Sequence, residues 1–131
     1  MFKDIDGGVC APIGFQAAGI HCGIRKNKNK KDLALIVSDV MSHCASTYTQ
    51  NKVKGAPIYV TQQHLQNHEA QAIICNSGNA NTCNPNGIEI ADQICQLCGN
   101  ELHIDANDIV VASTGVIGQP LYIEPFETHM N

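Results

Sequence analysis

The sequence holds no tryptophan, and aromatic residues make up only 5% of it. Its core must therefore be assembled from Ile, Val, Leu, Ala and Cys. No apolar run approaches the ~18 residues that would read as a membrane-spanning helix. The opening stretch, MFKDIDGGV, carries acids and lacks an apolar stretch, so it does not read as a secretory signal peptide. Basic residues are missing from residues 55–131, where eight acids stand unopposed; all eight Lys and Arg share residues 1–54 with four acids. No Gly-Lys-Ser/Thr phosphate loop, HExxH pair or GxSxG elbow occurs.

What is present suits one domain: 131 residues, 44% of them hydrophobic, with a net charge of −4. The seven cysteines are odd in number and scattered, with only Cys95 and Cys98 in a CxxC. Without a second pair or suitably spaced histidines that CxxC lacks the makings of a zinc site. Buried, reduced, structural cysteines in a cytoplasmic protein are expected, with no disulfide and no metal. The basic run RKNKNKK (25–31) alternates Lys with Asn, has no aromatics and lies between apolar segments. It reads as a solvated hairpin loop rather than a nucleic-acid surface, with the basic and acidic halves of the chain facing each other. His64 and His68 are four apart but lack the Glu of a metalloprotease motif, and are expected at the surface.

Apolar patterning predicts strands at 14–24, broken by glycines, and at 32–40 and 70–75, the last two buried. Further strands are expected at 45–51, 56–60 and 108–112. A short helix is expected at 61–68, capped by Thr61, and a longer one at 85–98, with Asn84 as cap, Pro85 in its first turn and Gly99 as its stop. IEPFETHM (123–130) begins another helix. The central residues of 32–40 are nearly all apolar, which predicts burial on both sheet faces. Strands with interspersed helices give an α/β or α+β fold.

Two of these strands end in small, polar, glycine-containing loops: AIIC in NSGNAN (76–81), and VVA in STGVIG (113–118). Loops at strand ends are common places for chemistry. For Ser113, Thr114 and Gly115 three readings stay open. The first is a plain turn. The second is a pair of donors, one hydroxyl and one unhindered backbone N–H, able to stabilise an oxyanion. The third is a Ser or Thr nucleophile, for which no base partner is visible. NSGNAN reads either as a set of Asx turns or as a cradle of backbone amides for an anion.

Taken in order, GGVCAPIGFQAAGIHCGI, KKDLALIVSD, YTQNKVKGAP, AIICNSGNANTC and VVASTGVIG resemble the N-terminal part of the α chain of the ornithine acetyltransferase family, also called glutamate N-acetyltransferase. The resemblance runs through nearly all of the chain. Tyr48 and Gly55 stand where the family more often has Phe and Ala.

The resemblance implies a layered sheet-and-helix fold, of the type shared with self-processing aminopeptidases. It implies a precursor that cuts itself into α and β chains. The N-terminal Thr of the β chain would take an acetyl group from N2-acetylornithine and pass it to glutamate. Thr114 and Gly115 match the family's oxyanion hole. An α2β2 assembly is implied, with no cofactor, and acetyl-CoA as a donor for some members. No nucleophile or cleavage motif is found in residues 1–131, so this reading expects an incomplete α segment that is inactive alone. A self-processing amidase or aminopeptidase of related fold, or a non-catalytic remnant domain, are the alternatives.

Overall fold

The basic run is the loop of an antiparallel hairpin in a computed structural model that describes residues 2–130. Strand β1 (Phe15–Ile20) pairs with β2 (Leu33–His43) from Phe15 opposite Ser38 to Ile20 opposite Leu33. The loop tightens where the Lys30 N–H donates to the Asn27 carbonyl at 3.1 Å and the Asn29 N–H to the Asn27 side chain at 3.0 Å. Such self-bonding is what places Asn in turns.

Helix α1 (Ala56–His64) follows, extended by a 3-10 turn at Leu65–Asn67. This corrects the strand expected at 56–60 and the Thr61 cap. Ile58, Tyr59 and Val60 favour strands, but Ala56, Val60, Thr61 and His64 recur at helical spacing and are buried together. Pro57 stands in the first turn, where its missing N–H costs nothing. Residues 45–51, also expected as a strand, adopt no regular element.

Strand β3 (Glu69–Asn76) pairs antiparallel with β2, and β4 (Ile109–Ser113) parallel with β3, giving a sheet of order β1-β2-β3-β4. The parallel pair requires a crossover, supplied by helix α2 (Gly87–Leu102). Its buried stripe is Gly87, Ile90, Ala91, Ile94, Cys95, Cys98 and Gly99. The helix starts two residues beyond Pro85, because Asn84 closes a turn by accepting from the Gly87 N–H at 3.2 Å. Gly99 does not stop it. His103, in a left-handed conformation at φ 57°, does. At Gly99 an added Cβ would lie 2.8 Å from the Ile104 carbonyl oxygen, so glycine is there for a close approach of the returning chain. Helix α3 (Glu124–His129) anchors its turn with the fully buried Phe126.

The helices cover one face of the sheet. Leu33, Ala72, Ile74, Ile109 and Val111 point into the cluster built around α2. The opposite face carries Ile36, Ile73 and Val110 side by side, and Ile73 is 42% exposed. Burial on both faces, expected for the strand at 32–40, is therefore absent among the described residues. Edge strand β4 is protected on its outer side by α1. Thr61 Oγ1 donates to the Val111 carbonyl at 3.0 Å and accepts from its N–H at 3.2 Å, and His64 Nδ1 lies 2.8 Å from the Ile109 carbonyl. These bonds fill groups that an edge strand would leave open.

Candidate active site

β3 and β4 end side by side, Asn76 opposite Ser113, and their loops continue in parallel through an isolated bridge between Asn79 and Val116. The Thr114 N–H donates to the Asn76 carbonyl at 2.9 Å, the Val116 N–H to Gly78 at 3.2 Å, and the Ala80 N–H to Val116 at 2.9 Å. STGVIG and NSGNAN, 37 residues apart in the chain, thus form one structure.

Three buried asparagines lock it. Asn76 Nδ2 donates to the Asn79 carbonyl at 2.9 Å. Asn79 Nδ2 reaches the carbonyls of Gln119 and Pro120 at 2.9 and 3.0 Å, and its Oδ1 accepts from the Asn81 N–H at 2.8 Å. Asn81 Nδ2 donates to the Gly87 carbonyl at 2.8 Å, tying the loop to the start of α2. No buried side-chain nitrogen or oxygen among the described residues lacks a partner. The asparagines serve side-chain bonding of the backbone, the Asx-turn alternative for NSGNAN.

The two hydroxyls of STG are used differently. Ser113 Oγ donates to Asn76 Oδ1 at 2.6 Å and is held inward. Thr114 is exposed, and its Oγ1 lies 3.5 Å from the Asn76 carbonyl, at the outer limit of a bond. The Gly115 N–H, also exposed, donates to no acceptor among the described residues. A hydroxyl with a single long contact and a backbone N–H with no acceptor among the described residues thus stand on adjacent residues at the rim of the sheet.

Gly115 adopts φ 130°, and an added Cβ would lie 2.4 Å from the Gly78 carbonyl carbon. Glycine is required twice over, for the backbone conformation and for the contact. Unhindered access to its N–H, the reason visible in the sequence, is a third benefit.

The remaining candidates separate from this site. His64 is buried against β4, not at the surface as expected, while His68 occupies an exposed left-handed turn at φ 62°. No group of three or more His, Cys, Asp or Glu among the described residues could hold a metal ion. Cys22, Cys95 and Cys98 are buried, Cys10 and Cys83 exposed, and all seven thiols are free. Burial pushes the Cys95 thiol up to about 12 and that of Cys98 to about 11. Cys22 is raised to about 11 by burial first and by the Asp32 charge second. The ion pairs among the described residues both involve His, at His21–Asp32 and His64–Asp92. An ion pair between the basic and acidic halves through Lys or Arg is therefore not found there. No helix among the described residues is long and apolar enough to cross a membrane.

Asp32 is a buried carboxylate that sequence reasoning missed. Its oxygens accept from the Cys22 N–H at 2.6 Å and the Arg25 N–H at 2.7 Å. Burial alone would raise this carboxyl; the Arg25 and Cys22 bonds, with His21 nearby, more than offset it and hold it below the usual value. Its partners lie seven and ten residues upstream, a spacing that matches no short motif. The sequence therefore gives no signal for it.

The family model described as ArgJ matches residues 16–131. Among curated relatives, the arginine biosynthesis bifunctional protein ArgJ of Caldanaerobacter subterraneus subsp. tengcongensis is 42% identical over 121 residues, 92% of this chain and 30% of its own length. That of Gloeobacter violaceus is 46% identical over 129 residues, 97% of this chain and 32% of its own length. The chain thus spans about a third of these relatives. The crystal structure of the Bacillus halodurans ArgJ protein superposes with a TM-score of 0.89 at 37% identity, covering 95% of this chain and 65% of that one. The Mycobacterium tuberculosis ornithine acetyltransferase, complexed with ornithine, gives 0.87 at 35%, covering 94% and 67%.

Proposed function

The chain belongs to the ArgJ family, and from that premise we propose that it serves acetyl transfer from N2-acetylornithine to glutamate in arginine biosynthesis, with Thr114 and Gly115 as the oxyanion hole. The observation that carries this reading is the pair of adjacent donors on exposed residues, the Thr114 hydroxyl with only a 3.5 Å contact to the Asn76 carbonyl and the Gly115 N–H with no acceptor among the described residues, while Ser113 is tied to Asn76.

The chemistry runs in two halves. A Thr hydroxyl from a β chain of the same precursor, released by self-cleavage, attacks the acetyl carbonyl carbon of N2-acetylornithine. The carbonyl oxygen becomes an oxyanion and receives the two donors. The C–N bond breaks, the amine leaves as ornithine with the hydroxyl's proton, and the acetyl ester remains on the Thr. The amine of glutamate then attacks that ester through a second oxyanion in the same hole. N-acetylglutamate forms and the Thr hydroxyl is restored. Fixed donors aimed where charge develops act in both halves and need no reorganisation at the moment of reaction.

No cofactor takes part in this scheme, and acetyl-CoA is a candidate alternative acetyl donor. The partner is the remainder of the protein, in an α2β2 assembly located in the cytoplasm. The uncovered apolar sheet face around Ile36, Ile73 and Val110 supports a partner of this kind.

The test is complementation. Residues 1–131 are co-produced with the remaining two thirds of the Gloeobacter violaceus relative, and ornithine release is followed with and without glutamate. The expected result is glutamate-dependent transfer by the pair and none by either part alone. Acetyl release to water that is indifferent to glutamate would replace the transferase reading with an amidase.

A further inference from the structure

Arg25 comes from the basic loop, 90 residues before Gly115 in the chain, yet it reaches the base of the STG loop. Its backbone N–H is fixed by Asp32 Oδ2 at 2.7 Å. Its Nε donates to Ser77 Oγ at 2.9 Å, across a separation of 52 residues. Its stem lies flat on Gly78: a Cβ added there would meet Arg25 Cγ at 3.0 Å and Ile24 Cγ2 at 3.1 Å. Gly115 is also pressed against Gly78 C and O, and the Val116 N–H binds the Gly78 carbonyl. Gly78 is therefore in contact with both Arg25 and Gly115. Asp32 closes the frame, because its carbonyl accepts from the Ser77 N–H at 2.8 Å.

From this arrangement we infer that Arg25 is a positioning residue for the Thr114–Gly115 donor pair. It clamps the 77–78 peptide on which Gly115 rests, so that the hydroxyl and the N–H keep their positions. A preorganised donor is useful only while its support is rigid. Gly78 carries no side chain, so the Arg25 stem and the Ile24 side chain pack directly on its backbone. Of the eight basic side chains, Arg25 is the one with a hydrogen bond into a strand-end loop among the described residues. The other seven bring charge without that link.

The inference deepens the oxyanion-hole reading and rests on it for its functional meaning. Its test is independent of acetyl transfer, so the two can fail separately. Amide hydrogen exchange is measured on the 131-residue chain. The reporters are Val116 N–H and Ala80 N–H, which bridge the two loops, with Ile74, Val111 and Ile94 as core references. Arg25→Met keeps the stem and removes the donor and charge. It should speed exchange at Val116 and Ala80 by about 10-fold while the core amides hold, as expected for a local opening. Ser77→Ala, which removes only the acceptor, should reproduce the same pattern. Arg25→Lys, whose Nζ can still reach Ser77 Oγ, should recover much of the protection. Unchanged exchange at Val116 and Ala80 in Arg25→Met and in Ser77→Ala would overturn the inference. A uniform rise that includes Ile74 and Ile94 would overturn it too, because it would assign Arg25 to general stability.

Discussion

Gly115 rests on Gly78 so closely that a single added methyl group would lie 2.4 Å from the Gly78 carbonyl carbon. Gly115→Ala must therefore move one of the two loops or force an L residue to hold φ 130°. Strain of this kind costs on the order of 1–3 kcal/mol. The expected outcome in denaturant unfolding is a loss of that size, with the Val116 amide losing protection first. Wild-type stability would mean that the two loops do not meet as described.

Asn76 joins both loops through its side chain, accepting from Ser113 Oγ and donating to the Asn79 carbonyl. Asn76→Ala leaves the half-buried Ser113 hydroxyl and the buried Asn79 carbonyl without partners, at about 1–3 kcal/mol. Chemical denaturation should show that loss. Ser113→Ala removes one partner of the same network and should cost less, leaving Thr114 and Gly115 in place.

Thr61 and His64 fill the outer edge of β4. Thr61→Val keeps the shape and removes the hydroxyl that serves both the N–H and the carbonyl of Val111. Stability should drop by about 1–3 kcal/mol, because those backbone groups stay buried and unpaired. The edge strand should also become more prone to pairing with other chains, which light scattering would register.

Asp32 sets an acid limit. Its folded value lies below the usual carboxylate value, because hydrogen bonds to the charged form outweigh burial. A depressed group contributes stability that is fully present above its unfolded value and is lost as pH falls through its folded value. The hairpin loop should therefore loosen below about pH 4. In Asp32→Asn the acid-dependent part of the stability profile between about pH 2 and 5 should flatten, with lower stability at neutral pH. An unchanged profile would remove Asp32 from this role.

The thiols should divide by burial. Cys10 and Cys83 are exposed and should react promptly with a thiol reagent at neutral pH. Cys22, Cys95 and Cys98 are buried, with thiols raised to about 11–12, and should react only as the fold opens. Unfolding without reductant should release all seven.

The sheet was legible where apolar runs met clear breaks, as at Leu33–Val37, Ala70–Cys75 and Ile109–Ala112. The α1 segment was not, because Ile58, Tyr59 and Val60 look like a strand until Thr61 and His64 are seen to share the buried face of Val60. That face mixes Ala56, Pro57 and Val60 with two polar side chains, whose value lies in bonds to β4 that only the folded chain supplies. Gly99 looked like a helix stop because glycine is common there. Its neighbour Ile104, from the next turn of chain, is the true reason. The apolar centre of β2 suggests burial on both faces, but the second face has no cover among the described residues.

The strand-end loops were visible as two small, polar, glycine-bearing stretches, and their resemblance to a known motif drew attention to Thr114 and Gly115. That Ser113 turns inward and Thr114 outward follows from strand alternation plus the Asn76 carboxamide, and the second of these is a contact across 37 residues. Arg25 was read as one of a run of solvated charges. Its hydrogen bond to Ser77 depends on the hairpin bringing residue 25 back over β3, a long-range relation without a local signature.

The central claim is tested most directly by Thr114→Ala in the complemented enzyme, with kcat and KM measured for acetyl transfer from N2-acetylornithine to glutamate. Losing one preorganised donor should lower kcat by ~10²–10³-fold, about 2.7–4 kcal/mol, with KM nearly unmoved because the bond is made in the transition state. Thr114→Ser keeps the hydroxyl and should retain much of the activity. A folded Thr114→Ala enzyme with kcat near that of the unsubstituted protein would contradict the account and leave Ser113-Thr114-Gly115 as a turn.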